Sequence, residues 1–433
     1  MKYLEIIAEI SSRTGTLRYS ATNRWCHSSN GFRIRSVLFV HCELKLILSS
    51  GLPKWEKKYG TSQGDWRHKM KNVKDYGATG NGRDDDTDAI RAALADCAAG
   101  ETCFVPLGTY LVRPGGVSGH APAVTSGVKL VGESRYGSIL KIAGMPTDSF
   151  LLCDGEDWLL TDLTFDMANY TPPSGQTGQV AIACRGNNWQ VKNCSVINIG
   201  RTGIAAFGGN NWKIEGNIIA RTVPTAQPPT TAILATARQG VLPTNGNVVG
   251  NRCEGVGILL SGNACSISRN RINNCGSGAG IFVAAPPNAK GALITENICT
   301  NGLSGYDDAQ GGKWWTVSGF EVWAPDSIIS NNIAHDNDGG GIAVGGMRTL
   351  VIGNIAYDNG RGRGERGGIA ARSIDAGRNA SYSTFIGNKC YDTRYPNTTT
   401  MTQDWGYIQQ PGITGVQQEA NDYTRNKLGA HKP

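Results

Sequence analysis

Asp307, Asp308, Glu321 and His335 fall within one stretch of a 433-residue chain, interleaved with Trp314, Trp315 and Trp323. Two carboxyl groups set across a bond can protonate a leaving oxygen and activate the attacking water. Flat indole rings suit the faces of sugar rings, and imidazole changes charge near neutral pH. These types in this order suit a carbohydrate cleft, with Glu321, Asp307, Asp308 and His335 as catalytic candidates and the three tryptophans as binding platforms. Arg366 and Arg372 are further substrate-binding candidates, because a guanidinium can neutralise a uronate carboxylate; Arg361 and Arg363 stand close by in sequence. A plainer reading competes at each position: Glu321 solvated on an open face, Trp314-Trp315 folded over a wall, and His335 structural.

Something regular must position these groups, and the chain is repetitive. An Asn followed two places later by a small or apolar residue recurs as Asn217/Ile219, Asn251/Cys253, Asn270/Ile272, Asn297/Cys299, Asn332/Ala334, Asn354/Ala356 and Asn388/Cys390. Three places before each Asn stands Ile214, Val248, Ile267, Ile294, Ile329, Val351 or Phe385. Intervals of 19 to 35 residues with a constant core and variable loops are the mark of a solenoid. An Asn stacked on Asn can bond the backbone of neighbouring turns, so the column is structural. Cys253, Cys299 and Cys390 share the inward slot after the Asn and act there as small apolar residues.

A second marker, Gly203-Ile204, Gly257-Ile258, Gly280-Ile281, Gly319-Phe320, Gly341-Ile342, Gly368-Ile369 and Gly406-Tyr407, opens the next strand of each coil. If each large apolar residue points inward, the next points out, giving the column Ala205, Leu234, Leu259, Phe282, Glu321, Ala343, Ala370 and Ile408. Two places further lie Trp323 and Arg372, beside Ala284, Gly345 and Gln410. With coils about 4.8 Å apart, Glu321 and Arg372 are expected roughly 10–13 Å from each other, at opposite ends of one sugar subsite rather than in an ion pair. The recurring His335-Asp336, Tyr357-Asp358 and Tyr391-Asp392 pairs read as turn closures. The longest loop, Thr300 to Ser318, carries Asp307, Asp308 and the Trp pair, and long loops on one side of a rigid solenoid are where function is usually carried.

Composition limits the partners. The formal charge is +7, yet residues 1–70 hold twelve Lys/Arg against five Asp/Glu, and the remainder holds thirty of each. A balanced body offers no broad phosphate-binding face, so nucleic acid is excluded as the expected partner. No apolar run reaches the length of a membrane span. The run Arg33 to Cys42 has the shape of a spoiled secretion signal, and the expected location is secreted or extracellular. Three segments result: a basic leader at 1–70, poorly ordered or preceding the true start; one solenoid at 71–412; and a tail or cap at 413–433. Twelve cysteines contain no Cys-x-x-Cys pair. Cys97 and Cys103 are near enough in sequence for one disulfide, which geometry decides.

The body opens with Asp75-Tyr76-Gly77-Ala78, Gly80-Asn81-Gly82, Asp85-Asp86-Thr87 and Ala89-Ile90, followed by Val105-Pro106, Gly108-Thr109-Tyr110 and Gly132-Glu133. Asp85 and Asp86 stand where carboxylates accept from the free amides of a helix start. This order resembles the entry module of the pectate-lyase superfamily, of the rhamnogalacturonase/epimerase-like type. The resemblance implies an all-β solenoid, a right-handed parallel β-helix, with an N-terminal capping α-helix that plugs the hydrophobic end. Ile333-Ala334-His335-Asp336-Asn337 is similar to repeats of bacterial mannuronan epimerases, and Gly319-Phe320-Glu321-Val322 stands where those enzymes carry a catalytic Asp-Pro-His-Glu strand. That likeness puts Glu321 on the working face, and the departure at the base histidine counts against epimerase activity. The fold serves lyases, glycosidases, epimerases and tail spikes alike.

The expected function is therefore action on a polysaccharide, by hydrolysis (Glu321 with Asp307 or Asp308) or by elimination (His335 or an Arg as base). The alternative is a non-catalytic glycan-binding or tail-spike-like protein, monomeric or homotrimeric. No cofactor or metal is required by the pattern, although Ca²⁺ held by Asp307 and Asp308 is an alternative to an arginine for neutralising a uronate.

Overall fold

The computed structural model describes residues 5–10, 17–22 and 70–432, apart from 114–126, 145–148, 169–179, 222–230, 277–278, 287, 304, 308–312, 316–317, 363–365 and 376–377. The chain divides into two compact units, Met1–Thr61 and Ser62–Pro433. In the first, Glu5–Ile10 and Leu17–Thr22 pair as an antiparallel hairpin.

The second unit is a parallel β-helix. Its strands fall into three long sheets of thirteen, twelve and eleven strands, here called sheets I, II and III. One coil shows the plan: Leu293–Thr295 lies in sheet I, Ile298–Thr300 in sheet II and Ser318–Val322 in sheet III, before Ile328–Ser330 returns to sheet I. Corners between sheets I and II turn on one residue with positive φ, for example Glu296 at 57° and Asn331 at 55°. The Asn column follows at once, and all seven predicted members are buried. Asn297 Nδ2 donates to Asn332 Oδ1 at 3.0 Å and to the Ile267 carbonyl at 2.8 Å, and the Asn297 amide donates to the same Asn332 oxygen at 2.9 Å. Each coil is thereby bonded to the next through side chain and backbone together.

The helix Thr87–Ala95 buries Ile90, Ala93 and Leu94 in the core that runs through the solenoid. Asp85 accepts from the Thr87 amide at 3.1 Å, as the sequence suggested, whereas Asp86 accepts from the Thr79 and Gly80 amides of the preceding loop instead. Cys97 and Cys103 are buried free thiols, hydrogen-bonded to each other. Of residues 413–433, set apart in sequence as a tail or cap, 413–432 form one more coil. Gln417–Glu419 extends sheet I, Gly429–His431 extends sheet III, and Asn421 Oδ1 accepts from Asn388 Nδ2 at 3.0 Å. Gln418 occupies the slot filled elsewhere by Ile, Val or Phe, which hid the repeat.

Candidate active site on the third sheet

The outward column deduced from the Gly-Ile markers is reproduced residue by residue: Ala205 pairs with Leu234, Leu234 with Leu259, Leu259 with Phe282, Phe282 with Glu321, Glu321 with Ala343, Ala343 with Ala370, and Ala370 with Ile408. The marker glycines have a steric reason. A Cβ on Gly319 would lie 2.7 Å from the Gly341 carbonyl and 2.8 Å from the Ala334 Cβ, and one on Gly341 would lie 2.4 Å from the Gly368 carbonyl. The backbone of sheet III therefore approaches the small inward residues of sheet II too closely for any side chain.

Glu321 points out from Ser318–Val322, with neighbours Phe320 and Val322 buried in the core. Arg372 follows Gly367–Ala371 two coils on. Its Nη1 lies 3.3 Å from Glu321 Oε1, and both side chains are less than one-fifth exposed. This corrects the expected separation. The register leaves one coil between them, and there Ala343 carries only a methyl group, so two long side chains can meet above it. The result is a half-desolvated carboxylate–guanidinium pair in an otherwise apolar column.

Trp323 is also corrected. It stands in the Arg372 column but is buried, and a Cβ on Gly345 would sit 1.9 Å from Trp323 Cε3. The ring lies flush against the glycine backbone of the next coil and is too deeply buried to offer a sugar platform. The segment carrying Trp314 and Trp315 is an antiparallel hairpin, Gly305–Asp307 with Lys313–Trp315, inserted just before the strand of Glu321. In it Asp307 is opposite Lys313, and Tyr306 is opposite Trp314. Asp308 and Arg363 lie outside the described residues. Arg366 stands 4.0 Å from Asp404 and Arg361 3.5 Å from Asp338, so both are engaged at the rim.

His335 is not brought to Glu321. It belongs to sheet II, where its ring stacks on Tyr357 at 4.7 Å and Tyr357 stacks on Tyr391 at 5.4 Å. Its Nδ1 is 2.8 Å from Asp336 Oδ2. Asp336 and Asp358 have φ of 56° and 54°, which fits their reading as turn closures. Asp392 serves differently: it is buried and accepts from Arg394 Nε at 2.7 Å and from the Thr402 amide at 2.8 Å. Burial works against its ionisation, yet these bonds hold the carboxyl below its ordinary range.

Sequence reasoning missed two residues on this face. Ser318, paired with Ala279, is buried with a hydroxyl that meets no partner among the described residues. Trp405, paired with Gly367, is half-buried. A Cβ on Gly367 would meet Ile408 Cδ1 at 2.7 Å, which shows that this position faces the same side as the Glu321 column. The signal was present: each residue stands immediately before a Gly-Phe or Gly-Tyr marker. Among the described residues no cluster of three or more His, Cys, Asp or Glu is arranged to hold a metal.

Residues 70–157 match the family model described as rhamnogalacturonase A/epimerase, pectate lyase-like. The chain folds as a parallel β-helix, and the family likeness is carried by the part that opens it. Part of this chain is 38% identical over 105 residues to alginate lyase 7 of Azotobacter vinelandii, covering 22% of this chain and 12% of that protein. The match thus spans only a small part of that relative's length. Among solved structures, the β-helix is similar to the A-module of a mannuronan C-5 epimerase from Azotobacter vinelandii (TM-score 0.63, 15% identity, covering 84% of this chain and 97% of that one). It is also similar to the Dettilon tailspike protein (TM-score 0.61, 14% identity, covering 84% of this chain and 68% of that one). At such identities the likeness concerns the fold. No helix among the described residues is long and apolar enough to cross a membrane.

Proposed function

We propose that this β-helix acts on a uronate-containing polysaccharide, removing the proton beside the uronate carboxylate and so leading to elimination or epimerisation. The observation that carries the reading is the Glu321–Arg372 pair on the outward face of sheet III. A proton next to a carboxylate is acidic enough to remove only when that charge is neutralised, and a guanidinium does this with a two-pronged bond. In this reading the substrate carboxylate takes Arg372, which releases Glu321 to accept the proton. His335, on another sheet, is not the base. Hydrolysis would require a second carboxyl group about 5–10 Å from Glu321, and among the described side chains the group paired with Glu321 is a cation instead. The names of the relatives, an alginate lyase and mannuronan epimerases, support the substrate class.

The test is incubation of the full chain with polymannuronate in D₂O. Ultraviolet absorbance of an unsaturated uronate would mark elimination, and deuterium at the abstracted position without chain cleavage would mark epimerisation. New reducing ends with neither signal would replace the reading with hydrolysis. Binding without any turnover would leave a glycan-binding or spike-like protein.

A further inference from the structure

Two outward columns of sheet III run side by side from the proposed site toward the C-terminal end of the solenoid. One reads Ser318, Gly340, Gly367, Trp405, and the other Glu321, Ala343, Ala370, Ile408. The two coils between the Glu321 strand and the Trp405 strand contribute nothing longer than a methyl group to either column, and Ile408 of the Trp405 strand leans back over Gly367. Trp405 ends this low stretch. Its ring leans over the following coil, where a Cβ on Gly429 would lie 3.3 Å from Trp405 Cζ3. Unlike Trp323, which is buried against Gly345, Trp405 keeps part of its surface in water. Three coils separate the two strands, about 14 Å along the axis, a distance that a short oligosaccharide spans.

We propose that Trp405 is a distal sugar-stacking subsite, so that the glycan lies along the solenoid axis with its reacting unit at Glu321–Arg372 and a unit a few residues away on the Trp405 ring. The inference rests on the reading of that pair as the reacting centre. Its physical basis is that an indole offers a broad apolar face to the C–H groups of a sugar ring, at small entropic cost because the ring is already held against Gly429. Stacking of this kind serves binding and not the chemical step. It therefore distinguishes long chains from short ones, which cannot reach from one group to the other.

The experiment compares the full chain with Trp405→Ala and Trp405→Phe on mannuronate oligomers of graded length, following turnover and the quenching of tryptophan fluorescence. For oligomers long enough to reach Trp405, the Ala variant is expected to raise KM about ten-fold with kcat little changed, while Phe restores most of the loss. For the shortest oligomers all three proteins should agree. Equal KM values for wild type and Trp405→Ala on long oligomers, with both proteins active and folded by circular dichroism, would overturn the subsite and leave the proposed reaction standing. A loss that is the same at every length would also overturn it, since that outcome marks a structural role. Absence of binding and turnover by the wild type on every oligomer would overturn the underlying reading, and the subsite with it.

Discussion

Arg372 reaches back across a whole coil to meet Glu321 at 3.3 Å, and the intervening coil allows this by presenting only the methyl group of Ala343 beside Glu321. The pair is partly screened by water, so its contribution to stability is small, and its value lies in holding two opposite charges ready above a low floor. Glu321→Gln is expected to leave the unfolding midpoint in urea nearly unchanged and to lower turnover on the cognate polymer about a hundred-fold or more. Arg372→Lys keeps the charge but loses the planar fork, so it should raise KM more than it lowers kcat. Steady-state kinetics of both variants checks this, and full activity of Glu321→Gln would remove the site.

His335 should be dispensable for the chemistry. Its ring is engaged with Tyr357, Asp336 and Thr300 on sheet II, away from the Glu321 face. His335→Ala is expected to keep kcat within about two-fold while losing about 1 kcal/mol of stability from the stacked column. The comparison of urea melts and rates separates the two effects, and a collapse of kcat with an unchanged melt would restore His335 as a catalytic group.

The solenoid was legible in sequence because its rules are local and repeated. A positive-φ corner, an Asn that bonds the next coil and a Gly that meets a carbonyl all recur in fixed order, and even the outward column carrying Glu321 followed from that order alone. What the spacing could not supply was how far side chains reach. Backbone distance placed Glu321 and Arg372 apart, whereas the small residues between them let the side chains meet. Trp323 and Trp405 are both outward residues by register, yet one is pressed onto Gly345 and buried while the other keeps part of its surface in water. A one-dimensional pattern assigns the face of the sheet but not the neighbour that a ring lies upon. The last coil was missed for a similar reason: Gln418 breaks the apolar signal while Asn421 keeps the bonding pattern.

The Asn column predicts a large response to a small change. Asn297→Ala removes the acceptor used by the Asn270 amide at 3.0 Å and its side chain at 2.9 Å, and it deprives the Ile267 carbonyl of a donor. These groups are buried, so the cost should be about 3 kcal/mol, read as a fall in the urea midpoint with an unchanged slope. Asn297→Asp, nearly identical in shape, should be worse at neutral pH, because its carboxylate would face the carbonyls of Ile267 and Thr295 that now accept from the amide.

Asp392 carries the pH dependence that follows from this fold. Although burial opposes its charge, hydrogen bonds from Arg394, Gln403 and Thr402 keep its carboxyl below the ordinary value. A group whose native pKa is depressed adds stability above its unfolded pKa, about 3.9 for Asp, and that stability is lost as the pH falls through the lower native value. Asp392→Asn would leave Arg394 with Asp358, at 3.4 Å, as its one directly bonded carboxylate and the Thr402 hydroxyl at 2.7 Å, and weaken the loop that carries Thr402 and Gln403. Gln403 in turn donates to Asn426 at 2.8 Å and accepts from Asn359 at 3.2 Å in a second amide ladder, so the loss should spread to the last coil. The variant is expected to be about 3 kcal/mol less stable than wild type at pH 6. The gap should narrow as the pH falls below about 4, because the wild type then loses the charge that the variant already lacks. Urea unfolding at a series of pH values measures this directly. A gap that stayed constant down to the lowest pH would mean that packing, and not the charge on Asp392, holds that loop in place.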